Sequence, residues 1–272
     1  MATSATSSAK PLDAAAVQTL APTLRGPLIQ PGDPGYDAAR TVWNAMIDRR
    51  PAVIVQPANG DDVPVAIKFA RENALEISVR GAGHNIAGNA ICNGGLTIDF
   101  SQMKQVRVDA AQKRAYVDAG ATLADLDAAT QQHGLATPVG INSTTGIAGL
   151  TLGGGFGWLT RKHGMTIDNL VAADVITADG KKLRASEQDN PELFWALRGG
   201  GGNFGVVTQF EFALHPVGPE ILAGLLVFPF AQARRLSMTR TTDSMQESSP
   251  PEVRSRLRVR PILPTREIAW NR

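Results

Sequence analysis

Three glycine-rich stretches and one histidine hold the residues whose types could do chemistry: RGAGHNIAGN at 80–89, GINSTTGIAGLTLGGGFG at 140–157 and RGGGGNFG at 198–205. Glycine adopts positive φ and puts no side chain between backbone amides and a ligand. Such loops suit a pyrophosphate neutralised by N–H groups rather than by Lys or Arg. They would equally serve tight turns and close strand packing, but three clusters in one chain, each beside a strand or helix end, favour a bound cofactor. Two familiar nucleotide loops are excluded: Gly81, Gly83 and Gly88 miss the G-x-G-x-x-G spacing, and no cluster closes in G-K-[ST]. His84, between Gly83 and Asn85, is either a hydrogen-bonding spacer or a chemical group. His133, His163 and His215 have contexts that read as structural or exposed. The single Cys92 excludes an internal disulfide and reads as a small buried residue; no Cys/His spacing predicts a metal site.

The elements that must position these loops follow from periodicity. Tyr36–Arg49 has a helix-like distribution of Ala39, Val42, Trp43 and Met46, followed by an extended Ala52–Gln56. Asp61 and Asp62 sit where a helix cap and first turn want acids, Val63, Ile67 and Ala70 share one face, and Glu76–Val79 is a strand. Leu96–Phe100 is a strand, and Gln105–Val108 with Arg114–Ala119 forms a hairpin. Thr122 with Asp125 caps a helix that Gly134 stops, and Asn190-Pro191-Glu192 starts another. Val171–Ala178 and Val206–Leu214 are strands behind glycine loops. The pattern is α+β.

With 43% hydrophobic and 19% charged residues in 272, the chain can bury a sizeable core. The net charge of +2 comes from the segment after Ala231, which holds nine Arg and four acids, so the body is mildly acidic and no nucleic-acid partner is expected. That segment lacks sustained periodicity, carries four prolines and is expected to be poorly packed. No apolar run reaches the roughly 18 residues that span a bilayer, and the N-terminal stretch lacks signal-peptide regions. No membrane association and a cytoplasmic location are expected.

The ordered set PAVIVQPANGDDVPVAIKFARENALEISVRGAGHNIAGNA, GGLTIDFSQMKQVRVD, VDAGATLADL, TTGIAGLTLGGGFGWLTRKHGMTIDNLVAADVITADG and LFWALRGGGGNFGVVTQFEF resembles the FAD-binding PCMH-type domain of the vanillyl-alcohol oxidase superfamily. Within it, the match is closest to berberine-bridge-enzyme-like oxidoreductases. The resemblance implies two α/β subdomains, about 36–108 and 109–217, clasping FAD after an N-terminal extension at 1–35. Residues 218–272 would be the truncated start of a substrate domain. It implies a covalent bond from His84 to the flavin 8α-methyl. Asn142 stands where many members have a second linking cysteine, so a single histidyl bond is implied. Arg80, Gly81, Ala82, Gly83, Asn85 and Gly88, with Asn142, Thr145, Gly146 and Gly149, resemble the pyrophosphate and ribityl cradle. Gly155 and Trp158 resemble the segment near the flavin, and Gly202, Gly205, Val206 and Val207 the segment along the adenosine half. Asp99 is expected to organise the loops, and Asp168 and Asn169 to fix a turn. The implied activity is hydride transfer from an alcohol, sugar or activated C–H substrate to FAD, with reoxidation by O2 or another acceptor. The alternative is a catalytically inactive flavin-binding fragment or partner-completed module. Neither Tyr36 nor Tyr116 stands in a context that assigns a catalytic base.

Overall fold

The computed structural model describes residues 12–218 together with Ala231. The expected strand at 222–230, the tail and nearly all of 218–272 lie outside the described residues. In chain order the elements are α1 (Ala14–Leu20), β1 (Leu28–Ile29), α2 (Tyr36–Arg40), β2 (Val53–Val55), α3 (Asp62–Glu72), β3 (Ile77–Arg80), β4 (Leu96–Asp99), β5 (Val106–Asp109) and β6 (Arg114–Asp118). They continue as α4 (Leu123–Gln131), β7 (Leu135–Ala136), α5 (Ile147–Leu152), α6 (Thr160–His163), β8 (Leu170–Ile176), β9 (Lys182–Ser186), α7 (Pro191–Leu197), β10 (Val206–Ala213) and β11 (His215–Pro216).

The first sheet has the order β1-β2-β4-β3, with β2, β4 and β3 parallel and β1 antiparallel at the edge. Every residue of β2 and β4 is buried, as in parallel strands covered on both faces. The second sheet, β5-β6-β10-β8-β9, is antiparallel throughout, and β6 alternates buried with half-buried residues. One apolar core includes Val53 and Val55, Val63 and Ile67 of α3, Leu123 and Leu126 of α4, and Phe210 and Phe212 of β10. At the seam between the sheets, a Cβ on Gly120 would fall 1.8 Å from the Phe100 carbonyl oxygen, an approach only glycine permits. The α+β class is as the sequence predicts.

Local chemistry explains several elements. Thr122 and Asp125 form the expected capping box on α4, and Pro191 opens α7 where its missing N–H costs nothing. One expectation is corrected. The predicted helix at 36–49 ends at Arg40, because Trp43 N–H and the Asn44 side chain bond the carbonyls of Gly83 and Ile86 instead. Asp61 and Asp62 stand at the cap and in the first turn of α3 as the sequence predicts; Asp61 makes no side-chain cap hydrogen bond, and Asp62 accepts the N–H groups of Arg25 at 2.9 Å, Gly26 at 3.0 Å and Ala58 at 2.9 Å. Before residue 36, β1 pairs with β2, and Val17 and Leu20 enter the core. The hairpin β5–β6 lies whole in the second sheet.

Asp62 is 2% exposed and its carboxylate holds three part-buried backbone donors, so Asp62→Ala is expected to cost about 2 kcal/mol in urea unfolding. Asp61→Ala, which removes only exposed pairs with Arg25 and Lys182, should shift the midpoint far less. Equal shifts would refute this account of the N-terminal clasp.

Candidate functional site

Parallel register brings Gln56, Arg80 and Asp99 to the carboxyl end of β2, β3 and β4, the edge where open α/β sheets bind ligands. A concavity of about 360 Å³ opens there between these residues, Ser101 and Ala39. Asp99 is fully buried and accepts from Gln56 Nε2 at 2.8 Å, Ser101 Oγ at 2.9 Å and Ser101 N at 3.2 Å. Arg80 lies 3.6 Å from Asp99 and donates to the Ala39 carbonyl, while its buried Nε has no partner. That Nε lies against the next loop, where a Cβ on Gly83 would come within 3.2 Å of it, and Asp99 ties the strand ends together.

The loop after β3 is gripped by its carbonyl groups. Trp43 N–H donates to Gly83 O at 3.1 Å, Asn44 Nδ2 to Ile86 O at 2.9 Å, and Arg49 to Gly88 O at 2.8 Å and Ile91 O at 3.0 Å. Gly83, at φ +75°, makes the turn that presents His84. The His84 ring stacks on Trp43 with centroids 5.5 Å apart and lies 3.3 Å from Thr144 Oγ1 through Nε2.

Thr144 belongs to the second glycine stretch. Ser143 O and Thr145 O accept the first N–H groups of α4, which roots this loop in the second sheet's layer. Asn142 Oδ1 accepts Thr144 N at 3.0 Å and Thr144 Oγ1 at 2.9 Å. Gly146 presses on the first loop so closely that a Cβ would lie 2.7 Å from Ala82 N, and a Cβ on Gly81 would lie 3.7 Å from that of Ala148. Among the described residues, the N–H groups of Ala82, Gly83, His84, Asn85, Gly146, Ala148 and Gly149 donate to no protein acceptor.

The remaining predicted residues lie around α5. Gly155 packs against Thr166, and Trp158 is 80% exposed. α5 contacts the 3-10 turn Gly201–Phe204, which contains Gly202, and Gly205 lies against the Ile176 carbonyl. Val206 and Val207 are buried in the core, so only their backbone can face a ligand. Gly88 backs onto Ile47, and Thr145 is half-buried beneath the loop. Asp168 accepts Met165 N, fixing the expected turn.

The sequence reading missed Trp43 and Thr144, the two residues touching His84, and Arg49, the grip on its loop. It also missed that His163 and His215 stack with centroids 4.0 Å apart, with His215 Nε2 2.6 Å from Asn169 Oδ1. Tyr36 donates to the Pro51 carbonyl and Tyr116 lies under Arg107, so both hydroxyphenyl groups serve packing. Cys92 is buried. Among the described residues no group of three metal-ligating side chains occurs, and no helix is long and apolar enough to cross a membrane.

Burial holds both stacked imidazoles below the ordinary histidine range, aided at His163 by Lys162 and at His215 by His163, Lys113 and Lys162. The unfolded chain therefore takes up protons first as pH falls through about 6.5, and stability declines in that direction. The urea midpoint is expected to fall between about pH 7.5 and about pH 5.5, with a shallower slope in His215→Asn. An unchanged slope would exclude the pair as the source.

Residues 51–186 match the family described as an FAD binding domain. The (R)-6-hydroxynicotine oxidase of Paenarthrobacter nicotinovorans is 38% identical over 206 residues, which are 76% of this chain and 45% of that protein. The crystal structure of 6-hydroxy-D-nicotine oxidase from Arthrobacter nicotinovorans matches with a TM-score of 0.75 at 37% identity, over 82% of this chain and 50% of that one. Glucooligosaccharide oxidase from Acremonium strictum, described with a 6-S-cysteinyl, 8α-N1-histidyl FAD, matches with a TM-score of 0.69 at 33% identity, over 73% of this chain and 42% of that one. The chain spans about half the length of these relatives. Its two pressed glycine loops around His84 and the match across both sheets have one reading: the chain belongs to the PCMH-type FAD binding domain family.

Proposed function

We propose that the two pressed loops hold the pyrophosphate and ribityl part of FAD, with His84 as its single covalent attachment. The cradle would consist of Arg80, Gly81, Ala82, Gly83, His84, Asn85 and Gly88 with Asn142, Thr145, Gly146 and Gly149. Gly155 and Trp158 would lie near the flavin, and Gly202, Gly205 and the backbone of Val206 and Val207 along the adenosine half. The FAD-binding domain would run over 36–217, with a substrate domain beginning after it. The observation that carries this reading is the set of N–H groups on both loops that donate to no acceptor among the described residues, beside an imidazole held between Trp43 and Thr144. Such donors match a pyrophosphate and cost no side-chain ordering.

When bound, FAD supplies the acceptor for a hydride from an alcohol, sugar or activated C–H group and the route of electrons to O2 or another acceptor. The chain's own residues orient and retain it: the loops fix the phosphates, Asp99 and Arg80 fix the loops, and His84 prevents loss of the group. A second reading, a flavin-binding module without turnover of its own, is favoured by the exposure of Phe156 at 69% and Trp158 at 80%. Bleaching of bound flavin by sugars or alcohols separates the two.

Flavin absorbance is expected to stay with the polypeptide after acid denaturation, with the added mass on the His84 peptide. His84→Ala should lose the acid-stable adduct yet still bind some FAD non-covalently; an unchanged adduct would overturn the assignment. Gly146→Ala inserts a Cβ 2.7 Å from Ala82 N, and should weaken FAD binding by about tenfold in a flavin-fluorescence titration while far-UV circular dichroism is retained. Undiminished affinity would separate the loop contact from the cofactor.

A further inference from the structure

The hydroxyl of Thr144 decides which nitrogen of His84 carries the proton. Thr144 N–H donates to Asn142 Oδ1 at 3.0 Å, which identifies that atom as the carboxamide oxygen. Thr144 Oγ1 lies 2.9 Å from the same oxygen, and because a carboxamide oxygen has no proton, the hydroxyl must donate there. It therefore meets His84 Nε2, 3.3 Å away, with a lone pair. Nε2 is the N–H of the neutral ring, and Nδ1 keeps its lone pair. Trp43, stacked within 20° of coplanar, holds the ring face.

We propose that Asn142 and Thr144 are positioning residues that hold His84 as the Nε2–H tautomer and so present Nδ1 as the nucleophile toward the flavin 8α-methyl. The proposal rests on the reading of His84 as the attachment residue. Attachment forms an Nδ1–C8α bond and breaks one C8α–H bond. The electron pair of that bond enters the isoalloxazine and passes to O2, which leaves as H2O2 with the C8α proton and the Nε2 proton. Thr144 Oγ1 is the acceptor beside Nε2 as the ring sheds that proton.

The test is ¹⁵N NMR of the FAD-free full chain at about pH 8.5, paired with the rate at which added FAD becomes acid-stable. The wild-type chain should show a pyridine-like Nδ1 and a pyrrole-like Nε2. Thr144→Val should give a mixture of tautomers and slow attachment by about fivefold, and Thr144→Ser should restore both. Asn142→Ala frees the hydroxyl to donate to Nε2, so Nδ1 should become pyrrole-like, an exchange that loss of packing alone would not produce. A pyrrole-like Nδ1 in the wild-type chain, or unchanged tautomers in both Thr144→Val and Asn142→Ala, would overturn the proposal. Acid-stable flavin surviving in His84→Ala would overturn the attachment reading instead, and the tautomer measurement would still decide the relay.

Discussion

A backbone that offers its N–H groups to a ligand cannot also use them to hold itself together. The N–H groups of Ala82–Asn85 donate to no acceptor among the described residues, and the segment's shape is imposed through its carbonyls and neighbours. Trp43, Asn44 and Arg49 take the oxygens of Gly83, Ile86, Gly88 and Ile91, and Gly146 closes on Ala82 from the opposite loop. The irregular stretch after α2 and the root of the 142–147 loop in α4 are consequences of that requirement. Each spends its hydrogen-bonding capacity on the first loop or on anchoring the second.

Charge is handled in the same way. A buried carboxylate is costly unless several donors meet it, and Asp99 has Gln56, Ser101 and Arg80 around it. This grouping depends on strand register, since Val55 pairs with Ile98 and Arg80 with Asp99. A slip of one residue would turn Asp99 to the other face and release the arginine. Arg80 is held by Asp99 and the Ala39 carbonyl, and beside it the amide dipoles of the loops add positive potential that is fixed by the backbone and carries no conformational freedom.

What was legible in the sequence is what neighbours along the chain decide. The capping box of Thr122 and Asp125, the hairpin between β5 and β6, Pro191 at the head of α7 and the apolar strands β8 and β10 all rest on short-range chemistry. The glycine loops and His84 were legible from composition and from the order of motifs. The stretch after Arg40 was misread because its apolar spacing fits a helix, while the partners that unwind it lie in the loop after β3. What Asp62 binds was not legible for the same reason, its donors Arg25 and Gly26 coming from an earlier segment whose own pattern carries no signal for folding back. Thr144 meets His84 across 60 residues, and His163 meets His215 across two sheet connections, pairings that no local pattern encodes.

Both histidine sites use one device, with different results. At His215, Asn169 donates its Nδ2 protons to the carbonyls of His163 and Met165, which turns Oδ1 toward His215 Nε2. At His84, the orientation of Asn142 reaches the ring through the hydroxyl of Thr144. In neither case does a carboxylate orient the imidazole among the described residues. For the part-buried pair this adds no charge that would oppose the downward pull of burial on both imidazoles. For His84 an uncharged orienting group has a further advantage under the proposed reading, because an acid beside the loops would oppose the negative charges of a pyrophosphate. A carboxamide at position 142 forms no thioether, yet it can set the tautomer of the histidine opposite without spending any of the field that the amides create.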